Sequence, residues 1–276
     1  MDELQANRAY WDERAHLHAT VASNYRVDAF KRGEYGWERN VPDDLGDVRG
    51  LKLLHLQCHF GMDSMLWARQ GAAVTGVDFS EQAIAHARAL SAEVGVAADF
   101  VCCPLHELPA HLQGAFDLVL NYHGVLPWIP DLGAWAGVIA HFLKPGGYFY
   151  LCDTHPFAQM LDVAEDGSRL EFRTSYFPNG KPERYVVNGS YSLTDVNTRN
   201  NVAFEWNHSL GEIVNCLLGA GLRLEYLHEF PYTFWNAYKG AQGSLMKHRE
   251  ADWWHMKDGD RIPLMFSLKA VKPDGS

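Results

Sequence analysis

Short apolar runs alternate with segments of helical period along the first half of the chain. The apolar runs predict strands at 51–56, 73–78, 99–102, 116–120 and 148–152. Helices are predicted at about 63–70, after Ser80 and after Asp131. Because strands that alternate with helices pair in parallel through right-handed crossovers, this order predicts an α/β fold, an open and mostly parallel sheet with helices on both faces. Such sheets bind ligands beyond the carboxyl ends of their strands.

The composition restricts the partners that we expect. The chain has 276 residues, enough to bury a core without disulfides. Its 24 Lys and Arg against 34 Asp and Glu give a net charge of -10 without a basic run, which argues against nucleic acid. The acidic start at 1–4 and the lack of 18 consecutive apolar residues predict a cytoplasmic protein that binds no membrane. Monomer and homodimer both remain open.

Cysteine and histidine spacings do not predict a metal site. The five cysteines include no C-x-x-C pair, and the 14 histidines include no H-E-x-x-H pattern. We therefore expect reduced thiols and no bound metal.

The pattern changes to a period of two between 157 and 207. Apolar residues alternate with polar ones over 170–176, Asn179-Gly180 is typical of a hairpin turn, and 185–187 predicts the returning strand. Residues 202–206 are consistent with one more strand. We interpret 157–207 as an antiparallel β insertion that caps the substrate.

The end of the chain predicts a return to the main sheet. Ser209 and Glu212 have the spacing of a capping box that begins a helix. Strands are predicted at 222–227 and 262–271. This gives three parts: an N-terminal helical lid segment at 1–47, a Rossmann-like domain at 48–156 and 208–276, and the insertion.

A glycine and an acid have the spacing of a nucleoside-binding site. Gly61 follows the first predicted strand, and Asp78 ends the second, 78 minus 61 or 17 residues later. In such sites the loop and the helix N-terminus receive a polar group, and the carboxylate accepts hydrogen bonds from the ribose hydroxyls. The spacing alone is weak evidence.

Four ordered motifs carry a resemblance to a known family. They are L-L-H-L-Q-C-H-F-G at 53–61, V-T-G-V-D-F-S at 74–80, F-D-L-V at 116–119 and L-K-P-G-G at 143–147. Together they resemble the class I, or Rossmann-like, S-adenosylmethionine-dependent methyltransferases, and the loop resembles a bacterial subgroup with the variant H-L-Q-C-H-F-G. The resemblance implies a seven-stranded sheet whose last strand is antiparallel and lies beside the sixth.

The resemblance also implies which residues bind S-adenosyl-L-methionine and its product S-adenosyl-L-homocysteine. By position they are Gln57, His59, Gly61, Asp78, Phe79, Cys103, Asn121 and Tyr122. The loop would lie under the methionine part, Asp78 would bind the ribose and Phe79 the adenine. The family's usual loop, D-x-G-x-G-x-G, here has His55 in place of the acid, with Gln57 and His59 in place of two glycines.

Two histidines are candidates for acid–base chemistry. His123 and His155 follow the fourth and fifth strands, where the methyl acceptor must lie, and histidine titrates near neutral pH. Each is as well suited to a purely binding or hydrogen-bonding role.

Aromatic residues are candidates for the acceptor pocket and its cover. Trp128, Tyr191 and Trp206 are predicted to bind substrate, with burial in the core as the alternative. In resembling proteins the N-terminal segment, here with Trp11, Tyr25 and Trp37, lies over the cofactor as a lid.

The resemblance implies methyl transfer from S-adenosylmethionine to an oxygen or nitrogen of a small molecule, by in-line displacement. One alternative is a protein that binds the cofactor without catalysis. A nicotinamide-dependent oxidoreductase is a weaker alternative, because the G-x-G-x-x-G loop is absent.

Overall fold

The computed structural model describes residues 2–21, 24–34, 45–193, 196–240, 243–249 and 253–275, so Trp37 lies outside the described residues. The strands are β1 (Lys52–Leu56), β2 (Ala73–Asp78), β3 (Asp99–Cys102), β4 (Phe116–Tyr122), β5 (Leu143–Thr154), β6 (Leu161–Val163), β7 (Leu170–Phe172), β8 (Glu183–Val186), β9 (Val202–Glu205), β10 (Arg223–Phe230), β11 (Tyr232–Thr233), β12 (Lys239–Gly240), β13 (Gly243–Ser244), β14 (Met246–Arg249), β15 (Trp253–Met256) and β16 (Met265–Val271). The helices are α1 (Glu3–Thr20), α2 (Val27–Lys31), α3 (Met62–Arg69), α4 (Glu81–Val94), α5 (Leu108–His111), α6 (Leu132–Phe142), α7 (Pro156–Gln159) and α8 (Leu210–Gly219).

A seven-stranded sheet forms the centre of the fold, in the order β10-β16-β5-β4-β1-β2-β3. Strand β16 is antiparallel to both of its neighbours, and the other pairings are parallel. The α/β class and the antiparallel last strand beside the sixth are therefore confirmed. The carboxyl ends of β1, β2, β4 and β5 meet at one edge of the sheet.

Apolar residues cover both faces of this sheet. Successive side chains of a strand point to opposite faces, so Leu54 packs with Trp135 of α6 while Leu53 packs with Trp67 of α3. All four side chains are fully buried. This double burial explains why β1 and β4 have nearly continuous apolar sequences.

The predicted hairpin across Asn179-Gly180 is wrong. Strand β7 pairs with β6, and β8 pairs with β9, so two separate hairpins replace it. Strand β7 ends at Phe172, which is 71% exposed.

The structure also contains β strands between β10 and β16 that the sequence analysis did not predict. A three-stranded sheet has the order β11-β15-β14, and β12 pairs with β13. The aromatic-rich segment that forms them lacks a clear period of two. The predicted boundaries elsewhere are close, although β5 begins at Leu143 rather than Tyr148.

Helix α1 lies across α4 and β9. The Asn7 side chain donates to the Phe204 carbonyl and accepts from the Phe204 N–H, both at 2.8 Å. The buried Arg14 guanidinium donates to the carbonyls of Val187 and Asn200. The N-terminal helix and the segment 187–204 are thus joined by hydrogen bonds. Within the described residues, no helix is long and apolar enough to cross a membrane.

Candidate functional site

The turn after β1 has the backbone of a glycine loop but only one glycine. Gln57, His59 and Gly61 have φ values of 52°, 51° and 76°. This left-handed region costs a residue with a side chain about 1–2 kcal/mol. A Cβ at Gly61 would lie 2.5 Å from the Phe100 ring, so the last position accepts only glycine. Gln57 and His59 therefore have a left-handed backbone that residues with a side chain disfavour.

Asp78, at the end of β2, ties this loop to the next helix. One carboxylate oxygen accepts from the His59 N–H and the other from the Ser80 N–H, both at 2.9 Å. Burial raises the pKa of Asp78 to about 6, although these N–H groups oppose the rise. A carboxylate has about four acceptor positions. Asp78 thus retains acceptor capacity for hydroxyl groups of a ligand.

Phe79 and Cys103 lie beside Asp78, at the ends of β2 and β3. The Cys103 N–H donates to the Asp78 carbonyl at 3.1 Å. Burial raises the pKa of the Cys103 thiol to about 11, so it is protonated at neutral pH. Phe79 is partly exposed. Both residues are therefore near the predicted ribose-binding acid.

His55 stands where the family's usual loop has an acid, but it carries no charge. Its side chain is buried, its Nδ1 lies 2.8 Å from the Ser64 hydroxyl, and its ring stacks on Tyr122 at 5.0 Å. Burial lowers the pKa of His55 to about 3, so the ring is neutral.

Asp63, in the first turn of α3, was missed by the sequence analysis. Burial raises the pKa of its carboxyl group to about 6, and the Tyr122 side chain opposes the rise. Acids are common in the first turn of any helix, where they interact with the helix dipole. The sequence therefore carries no signal that distinguishes Asp63.

Residues of the N-terminal segment cover the loop. His18 Nδ1 lies 2.9 Å from His59 Nε2, and its other ring nitrogen lies 2.6 Å from the Ser190 hydroxyl. Trp11 contacts both His59 and Trp128, with ring centroids 5.6 and 5.0 Å apart. Burial lowers the pKa of His18 to about 3, so this histidine pair is uncharged.

Tyr191 lies beside this cover. Its hydroxyl bonds to Tyr25, and its ring lies 5.2 Å from His18 and 6.5 Å from Trp11. It nevertheless remains 59% exposed, so part of its ring is available for contact with a ligand.

His123 lies in the turn after β4, and Asp153 holds that turn in place. His123 has a φ of 68°, and its ring contacts Tyr122 at 4.4 Å. The buried Asp153 carboxylate accepts from the N–H groups of Gly124, Val125 and Leu126, at 2.6 to 3.0 Å, as well as from that of Thr154. Burial lowers the pKa of His123 to about 3, so its ring is neutral.

Two other predicted residues already have partners in the core. His155 Nδ1 accepts from the Phe157 N–H at 3.0 Å, and Nε2 lies 2.9 Å from a Glu229 oxygen. Burial lowers the pKa of His155, and Glu229 opposes the change. The fully buried Asn121 donates to the Leu56 carbonyl and accepts from the Trp135 indole. Neither side chain has as many free hydrogen-bonding positions as Asp78 has.

The aromatic candidates divide into two places. Trp128 and Tyr191 both contact Trp11, close to the loop after β1. Trp206 instead lines a small cavity of about 20 Å³, with Tyr176 among its other walls. Among the described residues, no group of three or more His, Cys, Asp or Glu could hold a metal ion.

Comparisons with known proteins agree with this arrangement. Residues 54–151 match the family model described as a methyltransferase domain. Over 115 residues the chain is 32% identical to a ubiquinone biosynthesis O-methyltransferase of Bordetella pertussis, covering 42% of this chain and 46% of that protein. The corresponding Chromobacterium violaceum enzyme is 29% identical over 141 residues, 51% of this chain and 60% of that protein. The chain spans about half the length of the curated relatives that it matches.

Solved structures match over most of the chain. A putative S-adenosylmethionine-dependent methyltransferase of Listeria monocytogenes has a TM-score of 0.59 at 19% identity, covering 84% of this chain and 94% of that one. An S-adenosylmethionine-dependent methyltransferase of Mesorhizobium loti has a TM-score of 0.55 at 20% identity, with 83% and 94% covered. Residues 54–151 therefore match a methyltransferase domain, and the chain shares the Rossmann-like fold of solved S-adenosylmethionine-dependent methyltransferases.

Proposed function

We propose that this protein transfers the methyl group of S-adenosylmethionine to an oxygen or nitrogen of a small molecule. The observation that carries the proposal is Asp78, which is buried beside a left-handed loop and accepts from the N–H groups of His59 and Ser80 with acceptor capacity left over. Curated relatives that are named O-methyltransferases favour oxygen as the acceptor atom.

The residues present fit S-adenosylmethionine. The Asp78 carboxylate keeps acceptor capacity for the ribose, beside the loop that carries His59. Gln57 Oε1 is buried without a hydrogen-bond partner, so the loop has an acceptor available for a polar ligand. When bound, this cofactor supplies a methyl group on a positively charged sulfur.

The main contribution of the protein to the reaction is to orient the two reactants. In the transfer, the acceptor atom bonds to the methyl carbon while the bond from that carbon to sulfur breaks, and the acceptor loses a proton. Holding the two reactants in line can contribute about 7–11 kcal/mol. Proton removal by a side chain contributes a further factor of about 10² to 10⁴ in rate.

Of the two candidate histidines, we assign proton acceptance to His123. It follows β4 and is neutral at physiological pH because burial lowers its pKa to about 3. That low pKa makes it a weak base, so its contribution belongs near the lower end of the range. His155, with a partner at each ring nitrogen, is assigned to positioning the end of β5.

We assign exclusion of water to the N-terminal segment, together with the predicted cap at 157–207. Arg14 and Asn7 bind backbone groups of this cap, while His18 and Trp11 contact His59. A cover joined in this way opens and closes as one unit, which is how bound cofactor would be released.

Isothermal titration with S-adenosylmethionine, S-adenosylhomocysteine and NAD tests the proposal. We expect micromolar binding of the first two and none of NAD, followed by transfer of a labelled methyl group in a screen of phenols, carboxylic acids and amines. Binding without transfer to any acceptor class would favour the non-catalytic alternative. NAD binding alone would favour the oxidoreductase.

A further inference from the structure

We propose that helix α1 couples the loop after β1 to the predicted cap, so that a ligand bound at Asp78 orders the cap segment 187–204. This inference rests on the proposed function, because it concerns the regulation of the same site. It stands on the hydrogen bonds of α1, which reach both parts of the molecule.

The two residues that donate to Asp78 are also residues whose side chains hold α1. The N–H groups of His59 and Ser80 each donate to the Asp78 carboxylate at 2.9 Å. The Ser80 hydroxyl donates at 2.6 Å to the carboxylate of Asp12, which belongs to α1. The His59 ring lies 2.9 Å from the ring of His18, also in α1, measured between nitrogen atoms. A ligand that fixes Asp78 therefore also fixes the two positions at which α1 docks.

Asp12 gives α1 a further contact beside Asp78. Ser80 caps helix α4, and the Asp12 carboxylate also accepts from the Gln82 N–H in the first turn of that helix, at 3.2 Å. A negative charge is favourable at this end of a helix because of the helix dipole. The docked position of α1 thus depends on the helix that begins just after Asp78.

Other side chains of α1 hold the backbone of the cap. The Glu13 carboxylate accepts from the N–H groups of Arg199 and Asn200, at 2.9 and 2.7 Å. The Asn7 side chain bonds to both the N–H and the carbonyl of Phe204, at 2.8 Å each. These bonds supply partners to backbone groups of the cap, so the cap is ordered where α1 is docked.

Arg14 and His18 add contacts to the cap from the next turns of α1. The buried Arg14 guanidinium donates to the carbonyls of Val187 and Asn200, at 2.8 and 2.9 Å. His18 Nε2 lies 2.6 Å from the Ser190 hydroxyl, while its other ring nitrogen faces the loop after β1. His18 therefore joins this loop to the cap directly.

The buried face of α1 is half polar, which suits an element that docks reversibly. Its buried residues are Ala6, Asn7, Tyr10, Arg14, Ala15 and His18. Helix α3 instead buries Met62, Ser64, Met65, Leu66 and Trp67. Hydrogen bonds contribute little net free energy, because water replaces them when a contact opens. Segments with few buried apolar contacts are those that open locally, so a ligand can shift the docking equilibrium of α1.

Amide hydrogen exchange of the full-length protein, followed by mass spectrometry, tests the coupling. The probe is S-adenosylhomocysteine at a saturating concentration. We expect it to slow exchange in the segment 199–204, whose N–H groups donate to α1, about 5- to 150-fold, the usual range of coupling between two sites. The segment 161–172 is the internal reference, because β6 and β7 pair with each other. Its exchange should change less than about twofold.

The double variant Asp12→Ala, His18→Ala separates α1 from the loop side. It leaves the contacts of Asn7, Glu13 and Arg14 with the cap in place. The variant should still bind S-adenosylhomocysteine, but binding should now slow exchange at 199–204 by less than about twofold. The single variant Asp12→Ala keeps the His18 contact and should show an intermediate effect.

Gln5→Ala is the matched control on the same helix. Gln5 is exposed, so its substitution leaves the docked face of α1 unchanged. S-adenosylhomocysteine should slow exchange at 199–204 in this variant as strongly as it does in the wild type.

The outcomes separate this inference from the proposed function. If the wild type binds S-adenosylhomocysteine without slower exchange at 199–204, the coupling is wrong and the proposed function stands. Equal slowing at 199–204 and 161–172, or undiminished slowing in the double variant, would also overturn the coupling. The wild-type result needs no variant to fold. If the wild type does not bind S-adenosylhomocysteine, the proposed function fails and this inference fails with it.

Discussion

The turns after β1 and β4 have similar structures, but the buried aspartates beside them accept different numbers of backbone hydrogen bonds. Each contains a non-glycine residue with a left-handed backbone, His59 in one and His123 in the other. Each also lies beside a buried aspartate at the end of a neighbouring strand, Asp78 or Asp153. Asp153 accepts four backbone N–H groups, whereas Asp78 accepts one on each oxygen.

The difference separates a scaffold from a binding site. A carboxylate with four donors has no position left for a ligand, so the role of Asp153 is to fix the turn that carries His123. Asp78 fixes its turn with fewer hydrogen bonds, and its remaining acceptor capacity is available to a ligand. Burial alone therefore does not identify the functional acid, but unused acceptor capacity does.

Asp153→Ala is expected to have the largest effect on stability. It leaves the buried N–H groups of Val125 and Leu126 without an acceptor, and each such group costs about 1–3 kcal/mol. We expect the free energy of unfolding to fall by about 3–5 kcal/mol in urea titrations. Asp153→Asn keeps one acceptor oxygen and should lose less. A loss below about 1 kcal/mol would contradict the scaffold role.

Gly61→Ala is expected to break the turn after β1. The added Cβ would lie 2.5 Å from Phe100, and the φ of 76° is strained for alanine. Together the clash and the backbone strain should lower the free energy of unfolding by about 2–4 kcal/mol.

Gly95→Ala is the matched control for this prediction. Gly95 has a φ of 65°, but no atom lies within 4 Å of a Cβ built on it. Its substitution should cost only the backbone term, about 1 kcal/mol. Equal losses in the two variants would show that the Phe100 contact has no importance for the loop.

The same contrast explains how much of the fold could be predicted. Strands β2 and β3 were predicted to the residue. For β2 the reason is that buried parallel strands are apolar runs bounded by turn residues. The hairpins of 157–207 were mispaired, since their exposed apolar residues alternate without marking a buried face. Alternation of apolar and polar residues predicts a strand when one face of that strand is buried. The small hairpins of 157–207 have little buried surface.

Asp78→Ala is expected to weaken ligand binding more than it weakens the fold. The two ribose hydroxyls lose an ionised acceptor, so affinity for S-adenosylhomocysteine should fall about 10- to 100-fold by isothermal titration. The free energy of unfolding should change by less than it does in Asp153→Ala, because only two N–H groups lose their partner. Unchanged affinity would contradict the ribose assignment and erase the distinction between the two turns.

The site was less predictable than the sheet for a physical reason. Gln57, His59, Gly61 and Asp78 were predicted as site residues because their order along the chain follows from strand–turn–helix geometry. The contact between His18 and His59 was not predicted. It joins residues that are far apart in the sequence and is a property of the folded surroundings.

The smallest expected effect is the pH dependence of binding. Burial raises the pKa of Asp78 to about 6. Its carboxyl group must be ionised to accept from the ribose hydroxyls, so affinity for S-adenosylhomocysteine should be full above pH 7 and fall below pH 6. Between pH 7.5 and 5.5 we expect a loss of about threefold to tenfold, measured by titration calorimetry.

The histidines of the site do not obscure this measurement. Burial lowers the pKa values of His18, His55 and His123 to about 3, so these rings stay neutral across the range. Loss of affinity with rising pH would contradict the Asp78 assignment, because it would mean that the protonated carboxyl group is the binding form.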